Sequence, residues 1–369
     1  MAAATLRESV LAAGERVGLV LVNLGTPAAP RPREVRRYLR EFLSDPRVLD
    51  LPAWRRFLLL ELVILPRRAR ASAAAYRKIW TAEGSPLLVH GRALASKLQK
   101  RLGDGVRVEL AMRYGEPSIP DALERLDAAG ASRVALLPLY PHFSAAATGS
   151  SIAHAYRAAA ARWNTPCLQV IPPFFTHPAY LDARAESVRP LLAAERPERV
   201  YFTFHGIPER QLRRSDRSGH CLARPDCCAA ITATNRDCYR AQCLAVAREL
   251  RARLGLAEKT SPVSFQSRLG RTPWLRPYTD ELLAAEARGG VRRALVVPSF
   301  VADCLETLEE LALRGVETWR AHGGDVLRIV PPLNADDRFV DALAAIAGEG
   351  SSFVAAAAGA PDAGGRRVS

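Results

Sequence analysis

The stretch RVGLVLVNLG, residues 16–25, is apolar on both alternating faces until Asn23 and closes on glycine. A strand with branched residues on both faces is covered on both sides, which is the setting of a parallel sheet between helices. Three runs of the same kind follow it: VRVELAMRYG (106–115), RVALLPLYP (133–141) and CLQVIPPF (167–174). Helical stretches separate them at 33–43, 86–102, 117–129 and 150–162. The scheme then repeats with ERVYFTFHG (198–206), SPVSFQSR (261–268), RRALVVPSF (292–300) and VLRIVPPL (326–333). Its helices lie near 235–255, 277–288, 304–322 and 335–347. Eight strands in two sets of four predict an α/β protein of two doubly wound halves. The domains expected are 15–180 and 181–347, joined near 175–195, with the last helix free to pack back on the first domain. The Ala-, Gly- and Ser-rich stretch 349–369 is expected to be disordered.

A chain of 369 residues, 49% hydrophobic and 24% charged, buries a substantial core. The net charge of +14 is carried mostly by arginine, and no basic tail interleaved with aromatics points to nucleic acid. The N-terminal residues show no basic stretch followed by an apolar run, so no signal peptide is read there. No segment reaches the roughly 18 apolar residues that span a bilayer. The nearest is FLLLELVILP (57–66), which contains Glu61 and is flanked by Arg55, Arg56, Arg67, Arg68 and Arg70. Such a segment is either a buried helix with solvated ends or a peripheral contact with an anionic membrane. The expectation is a soluble or peripheral cytoplasmic protein, where clustered cysteines favour metal over disulfides.

Ligands of open parallel sheets bind beyond the carboxyl ends of the strands. There His205 closes YFTFH and is followed by Gly206, placed to take a proton or a metal at neutral pH. ADCLETLEE (302–310) follows another strand, with Glu306 and Glu310 on one helical face and Asp303 a turn earlier. A row of acids can accept protons or hold a divalent cation, though a solvated acidic first turn has the same spacing. TGSS (148–151) reads first as a helix cap. No G-x-G-x-x-G or P-loop occurs, so a nucleotide site lacks its phosphate cradle.

Seven stretches together resemble the ferrochelatase family, which inserts ferrous iron into a porphyrin. They are LVNLGTP, EVRRYLREFLSDPRVLDLP, AMRYGEPSI, LPLYPHFSAAATGSS, TFHGIP, FQSRLGRTPWLRPYTD and ADCLETLEE, in order between about 16 and 347. The resemblance implies two Rossmann-like domains, each a four-stranded parallel sheet flanked by helices, with the active-site cleft between them. It implies that His205 and Glu306 are catalytic and meet the Fe²⁺ substrate. Asp303 and Glu310 fall on the family's proton or metal path, and Arg113, Tyr114 and Trp274 on its porphyrin pocket. Leu24 stands in the cleft beside Asn23, where the tyrosine associated with coproporphyrin users is absent, so protoporphyrin IX is the expected substrate. The segment 54–70 matches the family's lip, expected to touch membrane. A monomer and a homodimer both stay open.

Five of the seven cysteines fall in HCLARPDCCAAITATNRDCYRAQC (220–243), spaced C-x5-CC-x9-C-x4-C. Four thiolates can hold a [2Fe–2S] cluster or a structural Zn²⁺, and the paired C-x2-C of a zinc ribbon is missing. Some members of the resembled family carry a [2Fe–2S] cluster, with one ligand in a PQYSC motif and three in a C-terminal extension. Here that motif reads PHFSA, with Ala145, and the tail holds no cysteine, so an internal insert must supply the ligands. The expected set is Cys221, Cys228, Cys238 and Cys243, with Cys227 as alternate because neighbouring side chains diverge. Cys167 and Cys304 stand apart. Competing readings are a coproporphyrin ferrochelatase, another tetrapyrrole chelatase, and a non-catalytic haem-binding or redox-sensing protein.

Overall fold

Two four-stranded, all-parallel sheets organise the chain in the computed structural model, which describes residues 16–270 and 272–358. The first contains β1 (Val17–Gly25), β2 (Val106–Tyr114), β3 (Arg133–Pro138) and β4 (Cys167–Val170) in the order β2-β1-β3-β4. The second contains β5 (Arg199–His205), β6 (Val263–Gln266), β7 (Arg293–Pro298) and β8 (Val326–Ile329) in the order β6-β5-β7-β8. The two orders are the same, so the predicted repeat is a repeat of topology. Register is fixed along the centre of each sheet, with Leu21 opposite Leu110 and Leu137, and Phe202 opposite Val263 and Val297.

Both faces of each sheet are covered, as the apolar runs require. On one face of the first sheet Val20, Val22 and Leu136 pack with Ile119, Leu123 and Leu126. The equivalent face of the second joins Tyr201 and Val296 to Leu283, Leu311 and Trp319. The remaining faces of both sheets share one continuous core that reaches from Leu19 and Met112 through Phe204 to Phe339 and Leu343. A shared core makes the halves one mechanical unit.

The helix Asp337–Gly350 lies between the halves, against the helix Pro86–Leu102 and the helix Pro178–Glu195. Its apolar seam of Phe339, Leu343 and Ile346 makes the join. The accompanying pairs Lys97–Asp337 and Arg101–Asp341 are exposed and worth about 0–1 kcal/mol each.

The stretch expected to be disordered is in part ordered. Residues Ser352–Ala358 form a helix against β1 and β3, with Val354 fully buried. Its alanines favour helix and allow close approach, since Ala357 O lies 2.6 Å from where a Cβ on Gly105 would sit. Small-residue composition was read as disorder although Phe353 and Val354 supply an apolar face. Residues 359–369 lie outside the described residues.

The segment 57–66 is not a buried helix. The helix Ala53–Leu59 runs through a π-helical turn, Leu60–Ile64, into the helix Leu65–Ile79. Trp54, Phe57 and Leu62 are exposed, the last by 70%. Glu61 is clamped by Arg36 and Arg40, which keeps its charge off the apolar face. Among the described residues no single helix is long and apolar enough to cross a membrane.

Candidate active site

His205 is the last residue of β5 and is half-buried. Its Nδ1 lies 2.6 Å from the Gly206 carbonyl. A carbonyl only accepts, so Nδ1 carries the hydrogen, and in a neutral imidazole of that tautomer the lone pair lies on Nε2. Position 206 must be glycine because a Cβ there would lie 2.9 Å from the Gln266 carbonyl and 3.3 Å from the Trp274 ring. The His205 ring sits 6.4 Å from the rings of both Trp274 and Phe300, so aromatic walls flank it. Trp274 is fixed by its own N–H on the Leu269 carbonyl.

The acidic row follows β7. Glu306 opens a π-helical stretch, Glu306–Gly315, rather than the α-helix expected there. A π-turn lengthens each repeat and brings residues four and five apart onto one side, so Glu306 and Glu310 stay together. The Glu310 carboxylate accepts hydrogen bonds from the Ser267 N–H and hydroxyl. Burial raises the Glu310 pKa, the Ser267 bonds and the His205 charge pull it down, and Glu306 raises it, for a net increase. Glu310 therefore lies within electrostatic reach of both Glu306 and His205 and holds a proton more readily than a free carboxyl.

Asp303 stands outside that pair. One oxygen accepts from Thr307 and the other from Asn334, and His90 approaches at 3.9 Å. These bonds anchor the turn entering the π-helical stretch.

Arg113 and Tyr114 were expected on the pocket wall, and the structure buries both, at 8% and 0% exposure. Arg113 donates to Asp45 at 2.8 Å and to Ser150 at 2.7 Å, and lies over the Tyr114 ring. Tyr114 and Ser150 also donate to Asp45. An arginine desolvated at a strand end needs a counterion, and Asp45 from the LSDPR stretch supplies it. Burial pushes the Asp45 carboxyl up, but bonds from Ser150, the Arg47 N–H and Tyr114, with the Arg113 charge, hold it below the ordinary carboxylate range. TGSS is thus neither a plain cap nor an anion cradle, because Ser150 belongs to this network.

The first half faces Glu306 with phenols that no motif singled out. Tyr76 lies near Thr26 and Tyr38, and burial followed by the nearby Glu306 charge drives its phenol upward. Tyr38 donates to the Gly25 carbonyl and feels the same Glu306 charge. Both sit on amphipathic helices, where a tyrosine on the inner face looks like any core residue in sequence. Leu24 lies half-buried at the end of β1.

All five cysteines of the insert are buried and unbonded as disulfides. Cys227 and Cys228 approach each other at 3.6 Å, and Cys238 lies near enough to Cys221 and Cys228 to act on both thiols. The neighbouring pair does not diverge, because residues 221–228 form turns rather than extended chain. Arg240 reaches toward the Cys227 sulfur at 3.8 Å. Cys243 instead meets Tyr239, one helical turn away. Burial and the Cys238 contact push the Cys228 thiol up, with the contact the larger cause. Among the described residues no group of three or more His, Cys, Asp or Glu is arranged to hold a metal ion.

Residues 16–350 match the family model described as Ferrochelatase. The chain is 41% identical over 333 residues to a protein of Coxiella burnetii (strain Dugway 5J108-111) named ferrochelatase, covering 90% of this chain and 93% of that one. It is 47% identical over 334 residues to the ferrochelatase of Pseudomonas fluorescens (strain Pf0-1), at 89% and 96% coverage. The Azotobacter vinelandii ferrochelatase is 48% identical over 330 residues, at 88% and 96%. Among solved structures, SirB from Bacillus subtilis with Fe³⁺ aligns at 14% identity and TM-score 0.49 over 89% of this chain and 92% of that one.

Proposed function

The chain belongs to the ferrochelatase family, and from that premise we propose how its cleft inserts Fe²⁺ into protoporphyrin IX. The enzyme is a lyase of haem biosynthesis, with ferrous iron as substrate. Metallation removes two pyrrole protons as the iron enters, and the ring must bend before a nitrogen lone pair faces the metal. The observation that carries the assignment of roles is the Nδ1 bond of His205 at the end of β5, which leaves Nε2 for the substrate, with Glu306 and Glu310 on the stretch that follows β7. His205 accepts a pyrrole proton at Nε2. Glu306 meets the iron and takes the second proton, which Glu310 receives and passes outward. Trp274 and Phe300 grip the bent ring, whose strain is drawn from binding energy. Leu24 favours protoporphyrin, and insertion into coproporphyrin in preference would reverse that choice. His205→Ala and Glu306→Gln should each lose iron insertion in anaerobic assay with an unchanged circular dichroism spectrum. Near-normal insertion by either purified variant sinks the role.

The lip is proposed to rest on an anionic bilayer on the cytoplasmic side, where a poorly soluble porphyrin resides. Its support is Trp54, Phe57 and Leu62 exposed beside Arg67, Arg68 and Arg70.

The insert is proposed to hold a [2Fe–2S] cluster through Cys221, Cys227, Cys228 and Cys238, with Cys227 in place of the expected Cys243. Four free, buried cysteines within eighteen residues are the donor type such a cluster takes, and the Arg240 cation suits an anionic centre. When bound, the group would cross-link the loop and could exchange one electron. Iron and sulfide analysis of anaerobically purified protein, with its visible spectrum, decides the matter: zinc, or neither metal nor sulfide, removes the proposal.

A further inference from the structure

The thiol insert does not end at its own boundary. Cys238 is the N-cap of the helix Tyr239–Leu254, so the first helical residue is Tyr239. Its hydroxyl donates to the backbone carbonyl of His205 at 2.8 Å. That carbonyl needs a partner for a reason of topology. Along β5 the odd residues face β7, as the bond from the Ser299 N–H to the Thr203 carbonyl shows. Two residues later β7 has already ended at Pro298, and the His205 carbonyl runs past the sheet. A carbonyl at the end of a ladder turns to whatever donor reaches it. Here the donor comes from the cysteine insert's own helix.

The bonded carbonyl belongs to the His205–Gly206 peptide. The next carbonyl, that of Gly206, accepts from the His205 ring. Fixing the plane of the first peptide therefore fixes the point against which the imidazole is aimed. Two further contacts hold Tyr239 in place. The His142 ring packs edge-on between Tyr239, at 5.9 Å, and Phe204, at 5.3 Å. The Cys243 thiol lies beside the phenol, one helical turn along.

We propose that Tyr239 is a positioning residue for His205 and that it transmits the order of the cysteine insert to the catalytic strand. The insert reaches it through a rigid path. Buried Asn235 donates to the carbonyls of Cys227 and Ala230 and accepts from the Thr232 N–H, which fastens the loop just before Cys238. A loosened loop shifts the start of the helix, and with it the hydroxyl on the carbonyl. This inference rests on the catalytic reading of His205.

The test is steady-state iron insertion by the full chain, with porphyrin KM and thermal midpoint measured beside kcat. Tyr239→Phe keeps the ring against His142 and removes only the hydroxyl. It should lower kcat about tenfold, with KM and the thermal midpoint close to wild type, because a small displacement of the reacting group acts on the chemical step. Asn235→Ala should lower kcat in the wild-type background and have no further effect in the Tyr239→Phe background, the signature of one shared path. Unchanged kcat in Tyr239→Phe overturns the positioning role. So does a loss of kcat accompanied by raised KM and a lowered thermal midpoint, which marks a structural role. Additive losses in the double variant overturn the coupling to the insert. Normal insertion by His205→Ala would instead remove the underlying catalytic reading, an outcome these three variants do not mimic.

Discussion

The two halves repeat one topology but treat their charges in opposite ways. A glycine that cannot be replaced closes β1 and directly follows β5: a Cβ on Gly25 would sit 1.8 Å from the Tyr114 carbonyl, and one on Gly206 2.9 Å from that of Gln266. Beyond this shared turn the halves part. The first half meets the mouth of its sheet with Arg113, Asp45, Ser150 and Tyr114, whose polar groups are spent on one another. The second half presents the Nε2 of His205, with Glu306 and Glu310 beyond it. A charge that has found its partner inside the protein supports the wall, and one left open is free for chemistry.

The largest expected effect comes from breaking the open side. His205→Ala should reduce iron insertion by about a thousandfold, the scale of a lost general base, while the thermal midpoint holds. An equal loss of stability would show that the second half is as internally paired as the first.

The spent side should behave in reverse. Asp45→Asn leaves Arg113 buried with its counterion neutralised and should cost about 3–5 kcal/mol by denaturant titration. Asp45 has a lowered pKa in the folded state, so its contribution is present above the unfolded value near ~4 and fades as pH falls through the folded value. The gap between wild type and variant should therefore narrow below about pH 4. A gap that stays constant down to acid pH would mean that the pair carries no net charge interaction.

Glu310 sharpens the contrast because its shift runs the other way. Its folded pKa is raised, so ionisation opposes folding above that value and the penalty vanishes below the unfolded pKa. Glu310→Gln should lower insertion at neutral pH without lowering the thermal midpoint, and a drop in the midpoint would count against a strained proton carrier.

The segment 54–70, proposed as a lip, belongs to the first half. Charge reversal at Arg67, Arg68 and Arg70 should weaken binding to anionic vesicles, at about 1 kcal/mol for each arginine displaced from the surface. Co-sedimentation unaffected by the triple change would leave the exposed apolar turn to some other partner. The smallest effect is expected at the last helix, where Val354→Ala removes two methyl groups buried against the first sheet, or about 1.5 kcal/mol. A larger loss would mean that this helix carries a larger share of the core over the first sheet.

The strands were legible because a strand covered on both faces writes its environment into every residue, and eight such runs left little choice of architecture. His205 and Glu306 stood out because His205 closes one of those runs and Glu306 follows another, in the region where an open sheet binds its ligands. Position alone did not separate them from Arg113, which occupies an equally exposed-looking strand end. Composition misled at 352–358, where alanines that suggest a loose tail pack closely against Gly105.

By itself the sequence determined the sheets, their repetition and the residue types at the strand ends, since these follow from local periodicity and strand boundaries. Tertiary structure alone decided which of those residues stay free. Asp45 meets Ser150 across 105 positions, and Tyr239 meets the His205 carbonyl across 34. Tyr76 answers Glu306 from the other half. None of these pairings leaves a local trace, because a hydrogen bond between distant residues depends on where the fold delivers them and not on the residues beside them.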